Sequence, residues 1–248
     1  MPDFDYTMEK LSDDLSICVT KDHRFGTDAF LLSDFAHVRR KDLACDLGTG
    51  CGIIPLLWFR NRSEAPKKAY GVDIQELAVK QLTFTVQNAG LGEQMIPVQA
   101  DLSDLSALKE KLPFGSFDVV TCNPPYKAQG SGILSETDAE RIARHEVLCT
   151  IEDVCQAASR LLRFGGRLCL CQRPERLCDT LCAMRSAGIE PKRVRFVQQR
   201  PASAPWLFLV EGKKGSKPYM TVEPPLLVEG EGGFSQEILR IYHKKENL

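Results

Sequence analysis

The residues best placed to do chemistry are Asn123-Pro124-Pro125-Tyr126, directly after the apolar run Phe117-Asp-Val-Val-Thr-Cys122. Proline has no N–H and confines its predecessor to extended geometry, so this segment continues neither a strand nor a helix. The chain stops rigidly, offering the Asn123 amide oxygen, the Pro124 carbonyl and the Tyr126 ring side by side. In open α/β sheets the carboxyl ends of the strands are where ligands bind, so polar groups fixed beside an aromatic ring there mark a candidate site. Taken alone, Asn-Pro-Pro-Tyr also reads as an ordinary turn with a packed tyrosine.

The elements that must position this tetrapeptide lie upstream. Leu43-Ala-Cys-Asp-Leu-Gly-Thr-Gly-Cys-Gly52 is an apolar strand running through Asp46 into Gly48, Gly50 and Gly52, with a helical apolar run over 53–59. Glycines at a strand-to-helix turn let a ligand approach the backbone. Their spacing is Gly-x-Gly-x-Gly, without the last glycine of the dinucleotide fingerprint, because position 53 is Ile. The strand Lys68–Asp73 ends in an acid where doubly wound nucleotide-binding folds hold ribose hydroxyls. Val98-Gln-Ala-Asp101 closes the next strand, placing Asp101 to flank an adenine ring.

On these residues the chain resembles the class I S-adenosylmethionine-dependent methyltransferases. Asp46-Leu-Gly-Thr-Gly-Cys-Gly52 matches their first motif, Asp73 the ribose acid, Asp101 the adenine-side acid and Asn123–Tyr126 the loop that alkylates amide or exocyclic amino nitrogens. Arg24-Phe-Gly-Thr-Asp-Ala-Phe-Leu-Leu-Ser-Asp-Phe-Ala36, Ala143-Arg-His-Glu146, Arg173-Pro-Glu-Arg176 and Glu223-Pro-Pro-Leu226 further resemble a bacterial family of tRNA adenine-N6 methyltransferases. The characterised member of that family modifies adenine 37 of a valine tRNA. The resemblance implies an α/β fold: a doubly wound, mostly parallel, seven-stranded Rossmann-like sheet with a C-terminal antiparallel hairpin. It implies one domain over 1–248, with an N-terminal strand and helix (1–41) over the cofactor, core sheet 42–212 and extension 213–248.

The same resemblance assigns catalysis to Asn123, Pro124 and Tyr126, the last stacking on a flipped base. It assigns S-adenosylmethionine to Phe25, Thr27, Asp28, Asp46, Gly48, Gly50, Gly52, Asp73, Ile74, Asp101, Leu102 and Asn123. Phe25 covers the cofactor or is plain core, and Asp28 opens a helix Ala29–Val38. His145 and Glu146 order a loop rather than act as acid and base, since proton transfer does not limit this chemistry. The stretch 127–137, rich in glycine and serine, reads as a lid or simply as a mobile loop.

Length, charge and cysteines bound the rest. The 248 residues suffice for six or seven strands alternating with helices. Helix 151–162 puts Ile151, Val154, Cys155, Ala158, Leu161 and Leu162 on one face behind a Thr150/Asp153 capping box, and a second carries Ala78, Leu82, Val86 and Ala89. The ten cysteines include no Cys-x-x-Cys pair, so thiols in core positions and no metal are expected. Without a signal peptide or an apolar run of membrane length, the expected location is the cytoplasm, with no membrane contact and no stable protein partner inferable.

A net charge of −1 means that any RNA-binding surface is local. One basic stretch runs from Arg185 to Lys217, through strands Arg193–Gln199 and Trp206–Glu211, and a second is Lys21, His23, Arg24, Arg39, Arg40 and Lys41, read as close to the site. Arg24, Arg39, Arg40, Arg195 and Lys213, with Tyr126, are the expected contacts to a tRNA substrate; solvated strand edges with lysines are the alternative. Protein glutamine N5-methyltransferases share the tetrapeptide but resemble a helical domain plus a catalytic one, and only about 45 residues precede Asp46 here. DNA adenine methyltransferases carry a target-recognition domain for which no room is seen. A guanine-N2 rRNA methyltransferase stays open, as does a catalytically silent RNA-binding protein.

Overall fold

The central strands are buried on both faces, which is why they read as apolar runs rather than alternating ones. A computed structural model describes residues 2–21, 25–124 and 149–242. Seven long strands make the sheet: β3 (Leu43–Leu47), β4 (Lys68–Asp73), β5 (Met95–Gln99), β6 (Phe117–Cys122), β7 (Leu162–Gln172), β8 (Ile189–Gln198) and β9 (Pro205–Lys214). Their spatial order is β5-β4-β3-β6-β7-β9-β8. Only β9 runs against its neighbours. It forms the expected C-terminal antiparallel hairpin with β8; β8 starts four residues earlier than the sequence suggested and ends one residue sooner, and β9 is longer at both ends. Two-residue strands β10 (Thr221–Val222) and β11 (Leu226–Leu227) extend the sheet along the outer edge of β8, giving nine strands.

Helices cover both faces. On one lie α1 (Thr27–Phe35), α2 (Ile53–Leu57), α3 (Glu76–Asn88) and the C-terminal α7 (Gln236–Tyr242), whose Leu32, Phe35, Leu56, Leu82, Ile238 and Ile241 share an apolar cluster. On the other lie α4 (Leu105–Lys111), α5 (Ile151–Leu161) and α6 (Leu177–Ser186), packing Leu108, Val154, Leu161 and Met184 against Phe117 and Phe208. The capping box of α5 forms as read: Thr150 Oγ1 accepts from the Asp153 N–H at 3.2 Å while the Asp153 carboxylate accepts from the Thr150 N–H at 2.9 Å.

Two elements differ from expectation. The N-terminal segment is a hairpin of two strands, β1 (Thr7–Ser12) and β2 (Leu15–Val19), and it packs on α3. The Cys18 N–H donates to Thr85 Oγ1 at 2.9 Å and the Gln81 amide to the Cys18 carbonyl at 3.3 Å. Helix α1 begins at Thr27 and ends at Phe35, not Ala29–Val38; Gly26 is its N-cap and Asp28 lies in its first turn. The helix stops early because arginines from the sheet seize its last carbonyls. Arg193 donates to the Phe35 carbonyl, and Arg167 to those of Ala36 and His37 at 2.9 and 3.2 Å. Cations there complement the helix dipole. Both guanidiniums share Glu211, whose Oε2 lies 2.8 Å from Arg167 and 3.3 Å from Arg193, while Glu223 pairs with Arg193 at 3.1 Å and Asp42 lies 3.8 Å from Arg167.

Candidate active site

The sheet reverses its order of winding between β3 and β6, which lie side by side while their helices depart to opposite faces. That switch point, at the carboxyl ends of the strands, is where open α/β sheets bind ligands. Here β3 runs into the glycine turn. Gly48 and Gly50 have φ of +66° and +55°, and among the described residues no atom other than those of their chain neighbours stands within 4 Å of where a Cβ would be. Gly52 differs: its φ is +88° and a Cβ would meet Leu82 Cδ1 at 2.3 Å. The first two glycines leave backbone open to a ligand, whereas the third lets α2 close on α3.

Asp73, at the end of β4, reaches across to hold this turn. Its Oδ2 accepts from the Gly50 N–H at 2.8 Å and its Oδ1 from the Gln75 N–H at 2.9 Å. Each carboxylate oxygen can accept more than one bond, so these contacts leave acceptor capacity for a ligand hydroxyl. Asp101 closes a tight turn by accepting from the Ser103 N–H and Oγ at 2.8 and 2.7 Å. Beyond β6, Asn123 Oδ1 accepts a bond from the Cys171 thiol of β7 at 3.0 Å.

These strand ends enclose a cavity of about 290 Å3. Gly48, Gly50, Asp73, Ile74, Asp101, Leu102, Asn123 and Pro124, all anticipated from the sequence, border it together. Gln75, Ala100, Cys122, Cys149 and Val154 border it too and were not anticipated. Val154 had been read as core alone, and Cys149 as one thiol among ten. Burial pushes the Cys149 thiol up to about 12, so it is a neutral wall rather than a nucleophile.

Asp46 stands behind this wall, not in it. It is fully buried, its Oδ1 accepts from Thr121 Oγ1 at 2.6 Å across the β3–β6 pair, and its Oδ2 has no partner among the described residues. Burial raises its carboxyl to about 7, with the Thr121 and Thr49 hydroxyls opposing and the charge of Asp73 adding to the rise. Gly52, Phe25, Thr27 and Asp28 likewise do not border the cavity as described. Phe25 packs beside Phe30 with centroids 5.9 Å apart, and Thr27 Oγ1 accepts from the Tyr242 hydroxyl at 2.9 Å.

A family model described as a methyltransferase domain matches residues 39–200. The chain belongs to that family. Among relatives of this methyltransferase domain is the tRNA1(Val) (adenine(37)-N6)-methyltransferase of Tolumonas auensis, 27% identical over 95% of this chain and 94% of its own length. The enzyme of that name from Histophilus somni is 30% identical over 145 residues, and the match spans 58% of each chain. Matches to Haemophilus influenzae enzymes of the same name also span 58% of their length. In structure, a protein of Agrobacterium tumefaciens described as a predicted O-methyltransferase superposes with a TM-score of 0.70 at 21% identity, covering 90% of this chain and all of that one. A SAM-dependent methyltransferase of Aquifex aeolicus gives 0.52 at 16% identity, covering 75% of this chain and 89% of its own. Both show the shared fold.

S-adenosylmethionine is the cofactor of this methyltransferase domain. The cavity wall suits it chemically. Gly48 and Gly50 leave the space that a Cβ would fill, and Asp73 supplies a carboxylate for vicinal hydroxyls. Ile74, 37% exposed despite its apolar side chain, and Leu102 give a flat ring two apolar neighbours.

The expected substrate contacts are scattered. Arg39 and Arg40 directly precede β3, whereas the cavity lies beyond its end. The five residues of β3, at roughly 3.3 Å each, put about 16 Å between its starting end and the glycine turn. They are therefore not close to the site. Lys213 lies toward the same far edge, paired in register with Arg167, which is level with Val119 of β6 and Ala44 of β3. Arg195 is engaged by the C-terminal helix, donating to both Glu237 carboxylate oxygens at 2.7 and 2.8 Å and to the Pro224 carbonyl at 3.0 Å. That partner lies 42 residues away in the chain, and no local pattern announced it. Arg24, Tyr126, the 127–137 stretch, His145 and Glu146 lie outside the described residues.

Proposed function

We propose that the protein transfers the methyl group of S-adenosylmethionine to the exocyclic N6 amine of an adenine in tRNA. The observation that carries this reading is that Asn123 and Pro124 border the same cavity as the glycine turn and Asp73. The amine-binding acceptors and the cofactor bed thus share one wall. The printed names of the relatives support tRNA adenine as the acceptor, most directly the Tolumonas auensis enzyme aligned over nearly the whole chain.

An adenine amine is a weak nucleophile because its lone pair is delocalised into the ring. When bound, S-adenosylmethionine supplies an electrophilic methyl group with a good leaving group. Asn123 Oδ1 and the Pro124 carbonyl each accept one N–H and orient the nitrogen lone pair. As the nitrogen becomes tetrahedral its charge grows, so both acceptors bind the transition state more strongly than the ground state. The Cys171 thiol is a weak donor; it fixes the Asn123 amide without exhausting the acceptor capacity of Oδ1. Tyr126 follows in sequence as the stacking face, a contact of about 1–3 kcal/mol. That offsets part of the few kcal/mol needed to extrude a base, a cost smallest in a single-stranded loop. The methylated nitrogen is acidic and releases its proton without a tuned base.

The test is incubation with labelled S-adenosylmethionine and, separately, total tRNA, rRNA and a release factor, followed by nucleoside or amino-acid analysis. N6-methyladenosine in tRNA is expected. N2-methylguanosine in rRNA, or N5-methylglutamine in protein, would replace this reading.

A further inference from the structure

We propose that the strand-start edge of the sheet, opposite the methyl-transfer cavity, is a second docking surface that grips the RNA phosphodiester backbone away from the reacting base. This rests on the tRNA reading above and adds where on the chain the RNA is held.

The observation is a displacement of charge. The chain is nearly neutral, with net charge −1, yet a groove before β3 and β4 is lined by Arg40, Lys41, Arg62 and Lys67 and by no acid among the described residues. All four are exposed, and no carboxylate pairs with any of them among the described residues. A second groove, of about 280 Å3, adjoins it through the same Arg39–Asp42 segment and is lined by Arg39, Arg163, Arg167 and Lys213 with Asp42 and Asp118. Its acids are turned to internal work. Asp118 accepts from the Leu43 N–H at 2.8 Å and from Arg163, and Asp42 accepts from the Arg39 N–H at 3.0 Å. Arg39 and Lys213 keep exposed side chains beside them.

One aromatic ring stands on this edge. Phe164, next to Arg163 at the start of β7, is 77% exposed and lies over Gly215, where a Cβ would come within 2.2 Å of the ring. Exposed cations tracking along an edge with a bare aromatic ring match the chemistry of a nucleic-acid strand: phosphates for the cations, a base face for the ring. An acidic protein would satisfy the charges but has no particular use for the ring.

Geometry separates this grip from catalysis. The basic edge lies at the amino ends of the strands and the cavity at their carboxyl ends, about 16 Å apart along β3. An oligoribonucleotide of two or three nucleotides, at roughly 3.4 Å each, does not reach from the cavity to this edge, whereas a folded tRNA does. The expected signature is therefore a dependence on RNA size that the cavity alone does not impose.

The test compares wild type with the triple variant Arg40→Glu/Lys41→Glu/Lys67→Glu, whose residues lie outside the cavity. Binding of intact tRNA is measured against salt, together with methylation of intact tRNA and of a short oligoribonucleotide carrying the adenine. The variant is expected to bind tRNA at least about tenfold more weakly, with a log–log salt slope shallower by about 2, from roughly 0.7 for each of three lost phosphate contacts. Its S-adenosylhomocysteine affinity and its activity on the oligoribonucleotide should match wild type, which also certifies the fold. The pair Arg39→Glu/Lys213→Glu examines the second groove in the same way. If wild type methylates tRNA and the variants keep its affinity and slope, the docking surface is refuted while the functional reading stands. If wild type neither binds nor methylates tRNA, both fail. Loss of anionic-vesicle binding in the variants with an unchanged tRNA slope would also refute RNA as the occupant.

Discussion

Asp46 ties the stability of the cofactor-free protein to pH in a direction opposite to that of most carboxylates. Burial raises its carboxyl from 3.8 to about 7, so the native state keeps a proton that the unfolded chain has released. A folded pKa above the unfolded one gives a contribution that is complete below about pH 4 and lost as pH rises through about 7. At 1.36 kcal/mol per unit, roughly three units correspond to a fall of up to about 4 kcal/mol across that window. No discount for solvent applies, because the side chain has no exposure. Glu211 titrates the other way. Burial pushes it up, but the hydrogen bond from Arg167 and the charge of Arg193 outweigh burial and hold it below 4.5, so its contribution is lost on acidification. Wild type alone therefore shows a sum, and the informative quantity is its difference from Asp46→Asn. Urea denaturation of both, from about pH 4 to about pH 8, should give stability curves that diverge steadily, wild type losing ground to the variant by up to about 4 kcal/mol. Asp73→Asn should narrow the window, since the Asp73 charge is one cause of the rise. Parallel curves for wild type and Asp46→Asn would refute a protonated Asp46.

Asn123→Ala should lower single-turnover methyl transfer by roughly 10²–10³ while leaving S-adenosylhomocysteine affinity nearly unchanged; a near-wild-type rate would remove Asn123 from the mechanism. Asp73→Ala should weaken S-adenosylhomocysteine by about 1.5–3 kcal/mol in titration calorimetry. It should also lower the urea midpoint, because the Gly50 and Gln75 N–H groups lose their acceptor. Glu211→Gln should destabilise the fold by about 3 kcal/mol, the lower end for a broken buried pair, since its two arginines retain 19% and 17% exposure. Gly52→Ala and Gly50→Ala should separate packing from binding. The first is expected to cost about 1–3 kcal/mol of stability through the overlap with Leu82, the second chiefly cofactor affinity, each read by denaturation and calorimetry.

What the sequence disclosed was the set of strand ends. A strand entering a turn is marked by residues that cannot continue it: Gly48 and Gly50, Asp73 before a helix, Asn123 before two prolines. Such marks are local, so they survived into the structure and converged on one cavity. Sidedness was less visible. In β3, buried on nearly every residue, the pattern does not say which side chain faces a ligand, and Asp46 turned inward to Thr121 of β6. Cys149 and Val154 reached the wall only because α5 packs beside β6.

Distance along the chain misled most for the cations. Arg39 and Arg40 stand within about a dozen residues of Gly50 in sequence, which suggested a shared site, yet an extended strand maximises separation per residue. Lys213 reaches the same edge because β9 runs antiparallel, so its end lies with the beginnings of the other strands. Arg39, Arg40 and Lys213 therefore share one edge, with their side chains exposed. A strand-start edge has no part in lining the cavity, and concentrating like charges on it costs stability unless something pairs them. On the docking proposal, that concentration in a chain of net charge −1 meets an anion too large for the cavity, and β3, with Arg40 three residues before its first residue and Gly48 directly after its last, is the rod that sets one grip relative to the other.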